Sequence, residues 1–159
     1  MHLIHASLAA PALALVPVPL RTERRTLAKR IWRGVAVDGT EFGFQLSNPL
    51  QPGDTFHQTA TARYVIEQEP EAVLEIPLAG LPPSATAGIG WAVGNLHLEL
   101  GSEATRLLTP DEPAARKLLD RIHISYTPTT AVFRPGRFKR SVTTPLVDEF
   151  GPSHRHQTD

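Results

Sequence analysis

The sequence predicts a two-domain α+β protein in which an all-β domain precedes an α+β domain. Three observations support this prediction. No helical stripe of apolar residues appears before residue 78, and 15 prolines break the chain into short elements. After residue 78 the apolar spacing becomes helical, and short strand-like segments separate two helical ones. We expect an N-terminal β domain at residues 1–76, a second domain at 77–136 and a loosely ordered C-terminal tail at 137–159.

The first domain shows strand signals punctuated by turns. Asp38–Gly39 separates two apolar-rich runs, and this dipeptide favours a hairpin because both turn positions accept positive φ. Residues 51–54 (QPGD) have the composition of a second turn. The proline-containing run at 13–20 is typical of an edge strand. The predicted strands are residues 13–20, 31–37, 40–46, 61–69 and 72–76.

The second domain alternates helices and strands. A first helix is expected within 78–96, starting at Pro82–Pro83 and ending at Gly94–Asn95, where residues tolerant of positive φ stand. Short strands at 97–100 and 104–108 would turn at Gly101–Ser102. A second helix follows at 114–122, and strand character returns at 122–126 and 130–133. With the strand at 72–76, this order matches the β-α-β-β-α-β pattern of ferredoxin-like folds.

Composition and charge exclude several classes of function. Sixteen basic residues balance sixteen acidic ones, so no overall positive field attracts nucleic acid or anionic lipid. Residues 21–30 hold five basic groups, but they lack interleaved aromatics and are interpreted as a polar face or a protein contact. The chain has no cysteine, so any borderline metal must bind His, Asp or Glu.

No run reaches the roughly 18–20 apolar residues that a membrane helix needs. The apolar run at 3–20 lacks Lys and Arg at its start and contains three prolines, so it is interpreted as strands and not as a secretory signal. We therefore expect a cytoplasmic protein without membrane contact.

The sequence contains seven histidines, and these are its main candidates for metal ligands. His97 follows the predicted helix end directly, so its imidazole projects from a fixed junction. His154 and His156 form a His-x-His pair in the tail, and two imidazoles there would bind metal with modest affinity. His57 and His123 are interpreted as structural or surface residues, and His2 and His5 stay open as metal ligands. The sequence contains neither a G-x-S-x-G nor an H-E-x-x-H motif.

Segments of both predicted domains occur in the order and register of a known family. They are residues 24–29, 35–46 (VAVDGTEFGFQL), 50–54, 64–66, 73–76, 91–97 (WAVGNLH), 111–119 and 133–135 (FRP). The stretch WAVGNLH is similar to an aromatic-x-x-Gly-Asn-x-His signature. Over roughly residues 14–135, the chain resembles the UreE family of urease accessory proteins.

This resemblance implies a nickel metallochaperone for urease maturation and not an enzyme. It implies a homodimer formed through the second domain, in which His97 of each copy binds one shared Ni(II). His154 and His156 would complete the coordination, and Zn(II) or Cu(II) could substitute for nickel. The implied partners are the urease apoprotein and its accessory GTPase complex.

Two departures from the family pattern bear on metal capacity. The family usually has Arg before its histidine and often another histidine near the helix end, whereas this chain has Leu96 and Ala92. Some members carry a His-x-His pair before the second helix, where this chain has Pro110–Asp111–Glu112. Any auxiliary nickel store is therefore expected to be small.

Two alternatives remain open at this point. One is a metal-free module whose β domain docks a partner while His97 is structural. The other is a metal-dependent hydrolase that uses His97 with a carboxylate such as Glu99. A catalytic metal site needs about three fixed ligands and an open position, and the sequence offers one well-anchored candidate.

Overall fold

A computed structural model describes residues 1–136 in full and, beyond them, the backbone of 138–139 and 147–148. The chain divides into two units, Met1–Pro70 and Glu71–Asp159. In the predicted tail, β11 (Phe138–Lys139) pairs antiparallel with β12 (Val147–Asp148), and the rest of the tail lies outside the described residues. None of the helices in the described part of the chain is long and apolar enough to cross a bilayer.

The first unit consists of two three-stranded sheets. Its elements are β1 (His2–Ile4), β2 (Val16–Thr22), α1 (Arg24–Leu27), β3 (Ile31–Val35), β4 (Glu41–Gln45), β5 (Thr55–Gln58) and β6 (Ala62–Gln68). The sheets have the strand orders β1-β4-β3 and β2-β6-β5. The β1–β4 and β2–β6 pairs are parallel, and β3–β4 and β5–β6 are antiparallel. As predicted, β2 is an edge strand.

Both turns predicted in the first unit form, because glycine supplies the positive φ that each requires. In the β3–β4 hairpin Gly39 has φ of 86°, and the amide of Ala36 donates to the carbonyl of Thr40. In the second turn Gly53 has φ of 94°, and the amide of Asp54 donates to the carbonyl of Gln51 at 3.0 Å. Local turn chemistry therefore fixes these two reversals.

An aromatic cluster fills the core of the first unit. Trp32 stacks on Phe44 with ring centroids 3.8 Å apart, and Phe42 meets Phe56 edge-on at 5.0 Å. The helix α1 was not predicted, because no helical stripe of apolar residues appears before residue 78. Its single turn is too short to show apolar periodicity, and it buries one side chain, Leu27.

Up to residue 136, the second unit contains one four-stranded sheet and two helices. Its elements are β7 (Glu71–Pro77), α2 (Pro83–Asn95), β8 (Gly101–Ser102), β9 (Arg106–Pro110), α3 (Pro113–Arg121) and β10 (Thr127–Ala131). The strand order is β10-β7-β9-β8, and every neighbouring pair is antiparallel. The protein is thus of mixed α+β class, as predicted.

Each face of this sheet has its own apolar cluster. On one face Leu74 and Ile76 of β7 pack in a cluster with Ile89 and Val93 of α2 and with Leu119 of α3. On the other face Val73 packs with Leu108 and Phe133. The Phe-x-Pro segment at 133–135 therefore begins with a core residue, since Phe133 is fully buried.

The predicted domain boundary at 76/77 assigns β7 to the first domain. In the structure β7 hydrogen-bonds to β9 and β10, and its side chains Val73, Leu74 and Ile76 are fully buried in the second unit. The division between the units accordingly falls at Pro70, before this strand. Strand pairing of this kind is non-local, which is why the boundary differs.

Two further strands begin later than predicted. Residues 97–100 contain no strand, and the predicted turn Gly101–Ser102 is itself β8. Residues 122–126 likewise contain no strand, and β10 begins at Thr127. In both places the chain first completes the end of a helix, as described below.

We expect Asp111→Asn to lower the free energy of unfolding at pH 7. We also expect that this free energy falls less in the variant when the solution is acidified. Both carboxylate oxygens of Asp111 accept hydrogen bonds from Arg116, Oδ1 from Nε at 2.6 Å and Oδ2 from Nη2 at 2.7 Å. This hydrogen bonding lowers the pKa of Asp111 below its usual 3.8. A carboxyl with a lowered pKa stabilises the fold above the unfolded-state pKa, and the stabilisation is lost as pH falls through the folded-state pKa.

Urea unfolding at several pH values between about 2 and 7 measures this effect. Glu112→Gln is the matched control, because Glu112 is the neighbouring carboxyl and has no ion pair within the described residues. An equal response of both variants would show that the Asp111–Arg116 pair does not contribute.

Candidate functional site

The end of α2 holds His97 in a left-handed backbone conformation. The helix ends at Asn95, Leu96 is its C-cap, and His97 has φ of 58°. The amide of His97 donates to the carbonyl of Gly94 at 2.9 Å, and the amide of Leu98 donates to the carbonyl of Val93 at 3.4 Å. These two bonds form a Schellman motif, which satisfies carbonyls left open at the helix end.

The residue with positive φ differs from the prediction. Gly94 and Asn95 were expected to take this conformation, but both lie inside the helix and His97 takes it instead. The physical reason is Leu98, whose side chain packs on the apolar cluster that contains Val93. In a Schellman motif this apolar contact accompanies the hydrogen bond between the same two residues. Packing of the half-buried Leu98 on this cluster therefore favours a helix end at this position.

This arrangement presents the His97 imidazole to solvent from a fixed backbone. The residue is exposed, while its own amide and that of Leu98 are bonded to the helix. The prediction that His97 projects from a fixed element junction is therefore correct. The geometry suits a ligand whose partner ligands come from elsewhere, since one imidazole fills one coordination position.

The surface of α2 beside His97 is uncharged. The helix contains no Lys, Arg, Asp or Glu, and it buries Ile89 and Val93. Trp91 is 74% exposed and Leu96 is 38% exposed. Small residues adjoin them, and a Cβ added at Gly88 or Gly94 would meet no atom within 4 Å. His97 thus stands at the end of an open, apolar helix face.

The second helix of this unit ends in the same way. Ile122 is the C-cap of α3, and His123 has φ of 55°. The amide of His123 donates to the backbone carbonyl of Asp120 at 3.2 Å, and the amide of Ile124 donates to the backbone carbonyl of Leu119 at 3.0 Å. His123 was interpreted as a structural or surface residue, within strand character predicted at 122–126. It is exposed, but it lies in the turn that follows α3 because the Schellman bonds hold it there.

The other candidate ligands belong to other parts of the chain. His2, His5 and His57 lie in the first unit, and His154 and His156 lie outside the described residues. Burial, followed by the charge of His2, lowers the pKa of His57 below 6.5. Among the residues that the structure describes, no three His, Asp or Glu side chains are grouped to hold a metal ion.

The sequence predicts the fixed position of His97 but not the left-handed conformation of His97 and His123. The available signal is an apolar residue directly after each histidine, Leu98 or Ile124, which stands five residues after a buried apolar helix position. The proximity of His2 to His57, described below, had no local signal, because the two residues lie on separate strands.

Comparisons with known proteins agree on one family. The model of the UreE urease accessory protein C-terminal domain matches residues 71–158. A protein named Urease accessory protein UreE from Bifidobacterium longum subsp. infantis is 34% identical over 97 residues, which are 60% of this chain and 43% of the relative. A protein of the same name from Deinococcus radiodurans is 31% identical over 121 residues, 74% of this chain and 75% of the relative. The chain thus matches less than half the length of the first relative.

We expect His97→Gly and His123→Gly each to stabilise the protein by about 0.5–1 kcal/mol. Glycine adopts positive φ without the steric cost that a Cβ imposes, and each imidazole is exposed. Urea unfolding measures the change. Ala92→Gly is the control, because glycine at a right-handed position in the interior of α2 should destabilise by about 1 kcal/mol. A loss of stability in His97→Gly would mean that the imidazole itself contributes to folding.

Proposed function

Because this chain belongs to the UreE family of urease accessory proteins, we propose that it binds Ni(II) and delivers it during assembly of the urease metal centre. Nickel is the cargo of this activity. Zn(II) or Cu(II) would bind the same imidazoles, since Cu(II) lies above Ni(II) in the usual order of affinities. Membership of an accessory-protein family confirms the prediction that the chain is not an enzyme, and the hydrolase alternative is withdrawn on that ground.

The observation that carries the proposal is the presentation of His97. This residue lies inside the region that the family model matches, it is exposed, and its backbone is fixed by the Schellman motif. Imidazole is a suitable ligand for Ni(II). One imidazole per chain binds nickel weakly, so the ion has to be shared with further ligands. Few ligands and an exposed position favour transfer of the ion over its retention.

The proposed source of the next ligand is His97 of a second copy. The uncharged face of α2 beside His97, with exposed Trp91 and small residues, supports a homodimer through this surface. In a two-fold dimer the same patch meets itself, so two His97 imidazoles would approach one axis. His154 and His156 would supply the remaining ligands from the tail.

The proposal includes the finer architecture and the partners. We assign the second unit to the ferredoxin-like fold, which its β-α-β-β-α-β order and its strand order β10-β7-β9-β8 support. The partners would be the urease apoprotein and its accessory GTPase complex. A cytoplasmic location stays a prediction.

A metal-free docking module is the second candidate function. The strand β3 lies at a sheet edge, and its side chains Ile31 and Val35 are 75% and 57% exposed. An exposed edge with apolar side chains can pair with an extended segment of a partner. In this alternative His97 is structural, and replacing it would not change how the protein behaves in a nickel titration.

We expect the wild-type protein to bind Ni(II) tightly at about half an equivalent per chain, and His97→Ala to lose this binding. The reason is that two equivalent imidazoles share one ion. Calorimetric titration together with the molecular mass of the same sample measures both stoichiometry and oligomeric state. His123→Ala is the matched control, because His123 has the same backbone conformation at the end of the other helix. Unchanged nickel binding in His97→Ala would favour the docking module.

We expect Trp91→Glu to dissociate the dimer and to reduce the tight nickel site with it. A charge on the apolar face of α2 would be buried without a partner if two copies met there. Light scattering coupled to size-exclusion chromatography measures the mass. Ala114→Glu adds the same charge at an exposed position of α3 and should leave the mass unchanged. A dimer that persists in Trp91→Glu would place the interface elsewhere.

A further inference from the structure

The first unit brings two histidines together from different sheets. His2 lies on β1 and His57 lies on β5, and their ring centroids are 4.8 Å apart with the planes inclined by 31°. The strands β1 and β5 belong to separate three-stranded sheets. The contact between the two rings is therefore a product of the tertiary fold.

Aromatic side chains pack against this pair of histidines. Phe42 lies 5.5 Å from His2 and 5.6 Å from His57, measured between ring centroids, and it is only 1% exposed. Tyr64 lies 5.5 Å from His57, and its hydroxyl donates to Oδ2 of Asp38 at 2.9 Å. Burial therefore fixes Phe42, and a hydrogen bond fixes Tyr64, beside the two histidines. His57 is half-buried against these aromatic side chains, and His2 is exposed.

The ring nitrogens of the pair are available as ligands. Within the described residues, neither His2 nor His57 makes a hydrogen bond through its ring. His5 differs, since its Nδ1 lies 3.1 Å from the carbonyl oxygen of Gln45. A neutral imidazole nitrogen without a hydrogen-bond partner retains the lone pair that a metal ion requires.

The separation of the rings fits two ligands on one ion. With a metal–nitrogen distance of about 2.1 Å, the centroid of a bound imidazole lies roughly 3.2 Å from the metal. Two imidazoles that subtend about 90–109° at the ion then have centroids about 4.5–5.2 Å apart. The observed 4.8 Å lies inside this range. His2 is exposed, so its side chain is the one of the pair that would turn to direct a nitrogen at the shared ion.

We propose that His2 and His57 form a second metal site, within the first unit of a single chain, for a borderline divalent ion such as Ni(II), Cu(II) or Zn(II). Two imidazoles would bind the ion, and water would complete its coordination. Such a site is exposed and has few protein ligands, so the ion exchanges readily. It uses neither His97 nor a second copy, and it therefore stands or falls independently of the proposed dimer site.

The test is a calorimetric titration of the full-length protein with Ni(II) in a His97→Ala/His154→Ala/His156→Ala background. This background removes the other proposed ligands. We expect about one Ni(II) per chain, because both ligands belong to one molecule. His2→Ala or His57→Gln should each weaken binding at least about tenfold, and the double variant should weaken it by less than the product of the two single effects, because both residues serve one ion.

The matched control is His5→Ala, which removes a nearby histidine outside the pair and should leave the affinity unchanged. Binding that survives both His2→Ala and His57→Gln would overturn the proposal. Binding lost in His2→Ala but kept in His57→Gln would also overturn it, since His2 would then act with its adjacent backbone. Histidine ¹⁵N spectra of the background protein with Zn(II) give a readout that does not depend on a folded His57 variant. Shifts of both rings support the site, and a shift of only one ring contradicts it.

Discussion

The second unit depends on how its first helix ends. The bond from the amide of Leu98 to the carbonyl of Val93 closes α2, and burial of Leu98 against the core maintains it. As a consequence His97 occupies a left-handed conformation that costs a non-glycine residue about 1–2 kcal/mol. This is a substantial part of a typical folding stability of about 5–15 kcal/mol. The proposed metal role of His97 would use an exposed imidazole held at this strained position.

The same helix-end geometry occurs at His97 and at His123, but the helix surfaces beside the two residues differ. His97 and His123 share the left-handed φ and the pair of Schellman bonds. The helix before His97 has no charged residue, whereas α3 carries Arg116, Lys117 and Asp120. A charged helix surface favours contact with water, and an uncharged one with exposed Trp91 favours contact with protein. The difference explains why the proposed shared site uses His97.

Features set by local chemistry could be predicted from the sequence, and features set by burial could not. Asp38–Gly39 and Gly53 specify their turns because few residues accept the required φ. At the end of α2, however, Gly94–Asn95 gave a stronger local signal than His97, and the burial of Leu98 overrode it. The strand β7 follows the β domain in sequence, yet its partners β9 and β10 come later in the chain. The contact between His2 and His57 likewise depends on how two sheets meet.

The two proposed metal sites would respond differently to protein concentration. An ion shared by His97 of two copies links metal binding to dimerisation, so nickel strengthens the dimer and dilution weakens nickel binding. An ion held by His2 and His57 of one chain has no such dependence. The chain would then hold nickel in two ways, one controlled by assembly and one by the free metal concentration alone. A partner that binds the α2 face would separate the two copies. The shared ion would then be released, because the two His97 imidazoles would no longer be held together.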